Sequence, residues 1–281
     1  MTTFGGKVRS MCALAGVVLA VALLPEPAAA WGDEGHKVIC EIAFRLVQPS
    51  TQAEIQRLIR TDTEFDHFSD SCIWPDHPRK RAVEHFVNLA RDSRGLTSDD
   101  TCPRAQECVL SAIQVEVAFL SSNRVDDEAK LEALKFLGHW VGDVHQPLHV
   151  SFEDDRGGNN ITAVGECQGN LHAAWDSCLV VKAVGADVAA AATDLKKSIT
   201  PAKIEEWTHS DPVAWANESF AIAERAQTKY CVQRGSSCEL PDPAKVKIDT
   251  AYVEANSPIV REQLQKAGVR LAHLLDAALG K

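Results

Sequence analysis

Two residue pairs, His139 with Asp143 and His172 with Asp176, constrain this chain more than any other feature. Each pair is four apart, and on a helix such residues share one face with neighbouring Cβ atoms, close enough for both side chains to reach one partner. The first pair runs on through Gln146-Pro-Leu-His149, which adds a third imidazole at the helix exit. Imidazole nitrogen combined with carboxylate oxygen suits zinc, whereas calcium and magnesium prefer oxygen alone. The segments are therefore expected to be helices that turn a charged face inward, round a metal. Gly138 and Gly142, four apart on the first helix, are expected to let it pack closely against a neighbour.

The N-terminus reads separately from the rest. Lys7 and Arg9 precede an apolar run from Cys12 to Leu24 and a small-residue end at Ala28-Ala29-Ala30, the pattern of a secretory leader. That run is too short to span a membrane, so residues 1–30 are expected to be removed and residues 31–281 to form the exported protein, secreted or periplasmic, beginning at Trp31. Export also frames the cysteines. Once Cys12 goes with the leader, an even set remains, which in an oxidising compartment suggests disulfides. Cys102/Cys108, Cys167/Cys178 and Cys231/Cys238 are natural close pairs and Cys40/Cys72 is left by elimination, although spacing alone does not fix the connectivity. Zinc-thiolate sites are the weaker alternative, because none of these cysteines has C-x-x-C spacing.

No linker, charge block or repeat divides residues 31–281, so a single domain is expected. Apolar residues recur at three and four spacing over Glu34–Val47, Ala53–Ile59, Glu107–Leu120, Glu128–Val144, Leu171–Val181, Pro212–Tyr230 and Val260–Ala278. Strand signals are few. Pro49-Ser50, Ser93-Arg94-Gly95, Asp154–Asn160 and Gly235-Ser236-Ser237 carry turn chemistry. The expected fold is all-α, a helical bundle with long loops. The formal net charge is −10, or −11 once Lys7, Arg9 and Glu26 leave with the leader, so no basic nucleic-acid footprint exists. Bound dications would still make a pocket locally positive.

More donors lie upstream. Asp76 in Trp74-Pro-Asp-His-Pro-Arg79 and His85 in Val83-Glu-His-Phe-Val-Asn88 would, in isolation, read as a turn carboxylate and a core histidine. His36 lies five residues after Trp31, whose free α-amine and carbonyl could chelate a metal together. His67, His77, His209 and His273 lack paired spacing, and His145 points away from the Asp143 face, which suits a supporting role.

Taken in order, these landmarks resemble the zinc-dependent, single-strand-specific nucleases, also called bifunctional nucleases for their added 3′-nucleotidase activity. They are Trp31-Gly with His36, Trp74-Pro-Asp76 with Arg79, His85-Phe86, His139 with Asp143, Gln146-Pro-Leu-His149, Gly157-Gly-Asn159, and His172 with Asp176. The resemblance covers nearly all of residues 31–281. It implies a three-zinc cleft: one zinc on Asp76, His85, His139 and Asp143, a close partner on Trp31 and His36 with Asp143 bridging, and a third on His149, His172 and Asp176. Water between the close pair, largely hydroxide near neutral pH, would attack a phosphodiester while the third zinc stabilises the departing 3′-oxygen, giving 5′-phosphorylated products. Arg79 matches an arginine that meets the phosphate, and Phe86 matches a base-stacking aromatic. Asn88 stands where fungal members carry an Asp facing the base edge, so base preference is open. Arg156 and Asn159, in a loop that looks longer here, are further substrate-binding candidates. The implied partners are single-stranded DNA and RNA and 3′-nucleotides, met by a monomer with no stable membrane association. Two alternatives remain. A zinc phospholipase C shares the metal set, but that group has wider spacing after the terminal Trp and a Glu as last ligand. A non-catalytic zinc-binding protein would need neither Arg79 nor Phe86.

Overall fold

A computed structural model describes residues 1–2, 31–97, 102–103, 107–235 and 237–280, and the leader expected before Trp31 lies outside them except for Met1 and Thr2. The described chain is mainly helical, as its periodicity predicts. Helix α1 (Asp33–Phe44) opens with Asp33 and Glu34 in its first turn, where carboxylates favour the positive end of the helix dipole. Helix α2 (Pro49–Ile59) starts on Pro49, which corrects the reading of Pro49-Ser50 as a turn. Proline lacks only an N–H that the first helical turn leaves unused, so it starts this helix rather than ending one. A short α3 (Phe68–Ser71) leads to the Trp74–Lys80 loop and then to α4 (Val109–Ser121) and α5 (Asp127–Val144). Asp126 caps α5 by accepting Ala129 N–H at 2.9 Å.

The segment after His149 departs from the single regular helix expected over Leu171–Val181. It runs as α6 (Leu171–Ala173), a π-helical turn over Ala174–Cys178 and α7 (Leu179–Val184). Two helices escape the periodicity reading, α8 (Val188–Lys196) and α9 (Pro201–Thr208), because alanines dominate the first and only Trp207 of the second is buried. Their caps were visible: Asp187 accepts from Ala190 N–H, and Thr200, followed by Pro201, accepts from Lys203 N–H. Helix α10 (Pro212–Ala223) stops well before Tyr230. The last helix, α11 (Thr250–Leu279), begins ten residues earlier than expected and continues through Pro258.

Helix α11 packs against α1, α4, α5 and α7, so it is the spine of the bundle. A Cβ on Gly268 would lie 2.5 Å from Ile42 Cγ2, so α1 and α11 nearly touch. Trp31, Trp140, Trp175 and Trp215 are fully buried around this spine. Strands are short. β1 (Val87–Leu89) lies parallel to β2 (Val150–Phe152) with Asn88 opposite Ser151. β3 (Thr162–Gly165) pairs with β4 (Gly169–Asn170), β5 (Val232–Arg234) with β6 (Ser237–Glu239), and β7 (Lys245–Ile248) completes the β4-β3-β7 sheet. The β1–β2 pair ties the strand after His85 to the strand after His149.

The disulfides are Cys40–Cys72, Cys102–Cys108, Cys167–Cys178 and Cys231–Cys238, the pairing expected. The close packing expected of Gly138 and Gly142 is also present. A Cβ on Gly138 would meet Cys72 Sγ at 2.5 Å, and one on Gly142 would meet His36 Nδ1 at 2.6 Å.

Candidate metal centre

Three groups of donors converge in the interior: His36, His139 and Asp143; Asp76, His85 and His139; and His149, His172 and Asp176. Within each group the donor atoms lie within 4.8 Å of one another. Helix α5 places His139 and Asp143 on one face, and its exit through Pro147 brings round His149. Asp143 is the link. One carboxylate oxygen lies 3.1 Å from His85 Nδ1 and 3.5 Å from His139 Nε2, while the other lies 3.5 Å from both His36 Nε2 and His149 Nδ1.

Backbone carbonyls decide which imidazole nitrogens carry protons. His139 Nδ1–H donates to Cys72 O at 2.8 Å, His85 Nε2–H to Lys80 O at 2.9 Å, His149 Nδ1–H to His85 O at 2.6 Å and His172 Nδ1–H to Gly157 O at 2.7 Å. A carbonyl only accepts, so the other nitrogen of each neutral ring presents a lone pair. Those lone pairs face each other. His139 Nε2 lies 3.2 Å from His85 Nδ1, and His172 Nε2 lies 3.1 Å from His149 Nε2. Without a cation between them, each contact sets acceptor against acceptor.

A shared proton does not resolve the clash, because burial disfavours the imidazolium form. Desolvation first, and His139 second, push His85 down to about 2, and desolvation takes His172 to about 4. His36, His139 and His149 are lowered mainly by the same burial. The carboxyls move the other way: burial first, then Asp76, raises Asp143 well above the carboxylate range, and burial raises Asp176. Arg79 opposes these carboxyl shifts, so its charge reaches both halves of the site. A metal ion satisfies every element. Two nitrogens bound to one tetrahedral zinc at the usual bond length lie about 3.3 Å apart, close to both observed spacings. Both Asp143 oxygens, both His36 nitrogens, one Asp76 oxygen and one Asp176 oxygen are buried without a hydrogen bond among the described residues, and cations would engage the carboxylate oxygens and one of the two His36 nitrogens.

The substrate candidates share one cleft with this centre. Arg79, Phe86, Asn88, Arg156 and Asn159 line a hollow of roughly 640 Å3 together with His149 and His172. Its described lining contains two arginines and four asparagines but no carboxylate, although the whole chain is acidic. Arg156 sits in the left-handed region at φ 56°, followed by Gly157 and Gly158 at φ 64° and 82°. Buried Asp155 holds this turn by accepting Gly158 N–H and Tyr230 O–H, each at 2.8 Å. A second hollow, of roughly 570 Å3 beside Phe44, Ile55 and Phe68, contains none of the three donor groups.

Trp31 is fully buried, and Gly32 N–H donates to Asp176 O at 2.7 Å. His145 turns away from the donors, accepting from Arg270 at 2.9 Å through Nε2 and donating to Val141 O through Nδ1. His67, His77 and His209 are exposed, and His77 meets Asp33 at 2.8 Å. Reading the sequence missed Gln146 as more than a landmark. Its oxygen accepts Leu148 N–H, so its Nε2 is the end that donates to Asp176 Oδ1. Its place immediately before Pro147, at the start of a helical turn, was the available signal.

The comparisons with known proteins agree with this geometry. The family model described as S1/P1 Nuclease matches residues 31–280. Nuclease S1 of Aspergillus oryzae is 31% identical over 88% of this chain and 91% of its own length. Endonuclease 5 of Arabidopsis thaliana is 28% identical over 92% and 94%. Nuclease P1 of Penicillium citrinum is 23% identical over 89% and 98%. Because the family match runs unbroken from Trp31 through every donor group to the end of α11, this chain belongs to the S1/P1 nuclease family, hydrolases of phosphodiester bonds in nucleic acids.

Proposed function

We propose that this protein is a three-zinc endonuclease of single-stranded DNA and RNA that leaves 5′-phosphorylated products and also removes 3′-phosphates from nucleotides. It acts outside the cytoplasm as a monomer, after cleavage between Ala30 and Trp31 leaves residues 31–281 as one catalytic domain. The observation that carries the metal assignment is the pair of facing imidazole lone pairs, 3.1 and 3.2 Å apart, in a buried setting that disfavours their protonation. Asp76, His85, His139 and Asp143 would hold one zinc. Asp143, His36 and the amine and carbonyl of Trp31 would hold a second, and His149, His172 and Asp176 the third. When bound, these ions supply a nucleophilic water at neutral pH and neutralise charge on the phosphoryl and leaving oxygens.

The residues do the rest of the selection. Arg79 presents a guanidinium to the phosphate and can bind it through two parallel N–H donors. Phe86 is half-buried at the cleft wall and offers a ring face to a base. Only an unpaired base can lie flat on it, which supports single-strand preference. Asn88 can donate or accept along the base edge, so it suits a broad base range. Arg156 and Asn159 would meet the flanking nucleotide, held by the braced turn that also orients His172 through Gly157 O.

The test uses protein whose N-terminus is verified as Trp31, incubated with single-stranded DNA and RNA, with and without chelator followed by zinc. Cleavage abolished by chelator, restored by zinc and yielding 5′-phosphate ends is expected. A fully zinc-loaded protein that cuts neither substrate would overturn the reading.

A further inference from the structure

Lys80 follows Arg79, and nothing in the donor set or the cleft lining includes it. Its ammonium nevertheless sits inside the loop that carries Asp76 and Arg79. Nζ donates to Trp74 O at 2.8 Å, Pro78 O at 3.1 Å and His77 O at 3.4 Å, and lies 4.0 Å from the centroid of the Trp74 ring. An ammonium has three N–H donors, so three carbonyls use all of them. The main chain closes the same loop, with Lys80 N–H on Pro75 O at 2.7 Å and a β-bridge between Asp76 and Arg79. Lys80 then reaches the centre a second way, because its own carbonyl takes the Nε2–H of His85.

We propose that Lys80 is a positioning residue whose ammonium acts as a tethered cation, ordering the Trp74–Pro78 carbonyls so that Asp76, Arg79 and His85 hold their places in the centre. Carbonyl oxygens turned toward one point repel one another unless N–H donors lie between them. The lysine carries its cation covalently. The inference rests on the zinc reading above, and its effect is local. The Asp76, His85 and His139 group depends directly on this loop, whereas His172 and Asp176 are oriented by Gly157 O and Gln146 from other elements, and only His149, through His85 O, is reached at one remove.

The experiment measures zinc affinity site by site, by chelator competition, together with kcat and KM on single-stranded DNA, for the wild type and Lys80→Ala. Outer residues that orient metal ligands typically account for 10- to 100-fold in affinity or activity. Loss of that order is expected at one zinc of the Asp76 side, with a smaller loss at the His149 site, which meets the loop only through His85 O, and kcat falling more than KM rises. Propylammonium, which replaces the missing stem and its N–H donors, should restore both readouts saturably, and tetramethylammonium at equal ionic strength should not. Lys80→Arg should retain part of the function. If the alanine variant fails to fold, Lys80→Met keeps the stem over Trp74, deletes the donors and must show the same selective zinc loss. Wild-type affinity and kcat in Lys80→Ala, or equal loss at all three sites without rescue, would overturn the proposal. A wild type that neither binds zinc nor cuts nucleic acid would instead sink the zinc nuclease reading, which separates the two failures.

Discussion

Replacing Asp143 with asparagine distinguishes a metal role from a packing role, because the metal role gives effects of opposite sign with and without zinc. Asp143 is fully buried, neither oxygen accepts a hydrogen bond among the described residues, and burial followed by Asp76 raises its pKa well above the ordinary 3.8. The unfolded chain therefore loses this proton before the folded chain does, and the cost to folding appears as pH rises above the unfolded value. At pH 7 without metal, Asp143→Asn removes that cost, so the variant should be more stable than the wild type, by about 1–3 kcal/mol for one relieved buried group. With zinc the order reverses. Asp143 faces two donor groups, and each ion held at 100 times its dissociation constant contributes about 2.7 kcal/mol, so losing two costs about 5 kcal/mol. At 2–4 °C per kcal/mol for a chain of this size, the melting temperature should fall by roughly 10–20 °C. Thermal unfolding in chelator and in excess zinc, with zinc content by atomic emission, reads both signs. An asparagine variant that keeps three zincs and the wild-type melting temperature, or that is equally destabilised in chelator and zinc, would refute the bridge.

Acid should unfold the metal-free protein steeply. His36, His85, His139, His145, His149 and His172 all have pKa values below the unfolded 6.5, so their contribution is present above pH 6.5 and is lost as pH falls. Asp143 and Asp176 act oppositely, but the six imidazoles outnumber them, so stability should fall as the pH falls below 6.5; a flat urea-midpoint profile from pH 7.5 to 5 would contradict it. Gly142→Ala drives a methyl into His36, 2.6 Å from Nδ1, and should reduce bound zinc from three to two at a packing cost of about 1–3 kcal/mol, seen by metal analysis. Phe86→Ala should raise KM for single-stranded DNA roughly 5- to 100-fold, the worth of one stacked base, while zinc content stays constant; unchanged KM would remove Phe86 from the base site. One verified extra residue before Trp31 moves the α-amine and should abolish one zinc site and most turnover, and full activity would exclude the amine as a ligand.

Helices with strong period and clear apolar faces, such as α1, α4 and α5, were legible because local spacing alone determines which side is buried. Helices α8 and α9 were not, since alanine and exposed polar residues give almost no periodic contrast and only their caps mark them. The early start of α11 was hidden by Pro258. The interruption over Ala174–Cys178 was also invisible, because the choice between α- and π-helical hydrogen bonds depends on what packs against the turn.

The donors were legible for the same reason as the helices: His139 with Asp143 and His172 with Asp176 are local pairs. What orients them is not local. Cys72, Lys80, His85 and Gly157 contribute carbonyls, which every residue type possesses, so no side chain announces the role. These four contacts nevertheless determine where the imidazole lone pairs point. A sequence of the same donors with a shifted Trp74–Lys80 loop would keep every landmark yet leave His85 free to turn its N–H toward His139. Metal affinity in this family should therefore respond to substitutions that move these loops as strongly as to loss of a single donor, and Gly157→Ala offers the direct case. Its Cβ would lie 2.5 Å from Leu148 O and 3.2 Å from His172 Nδ1, at a φ of 64° that alanine tolerates poorly. The turn must shift, and with it the carbonyl that orients His172.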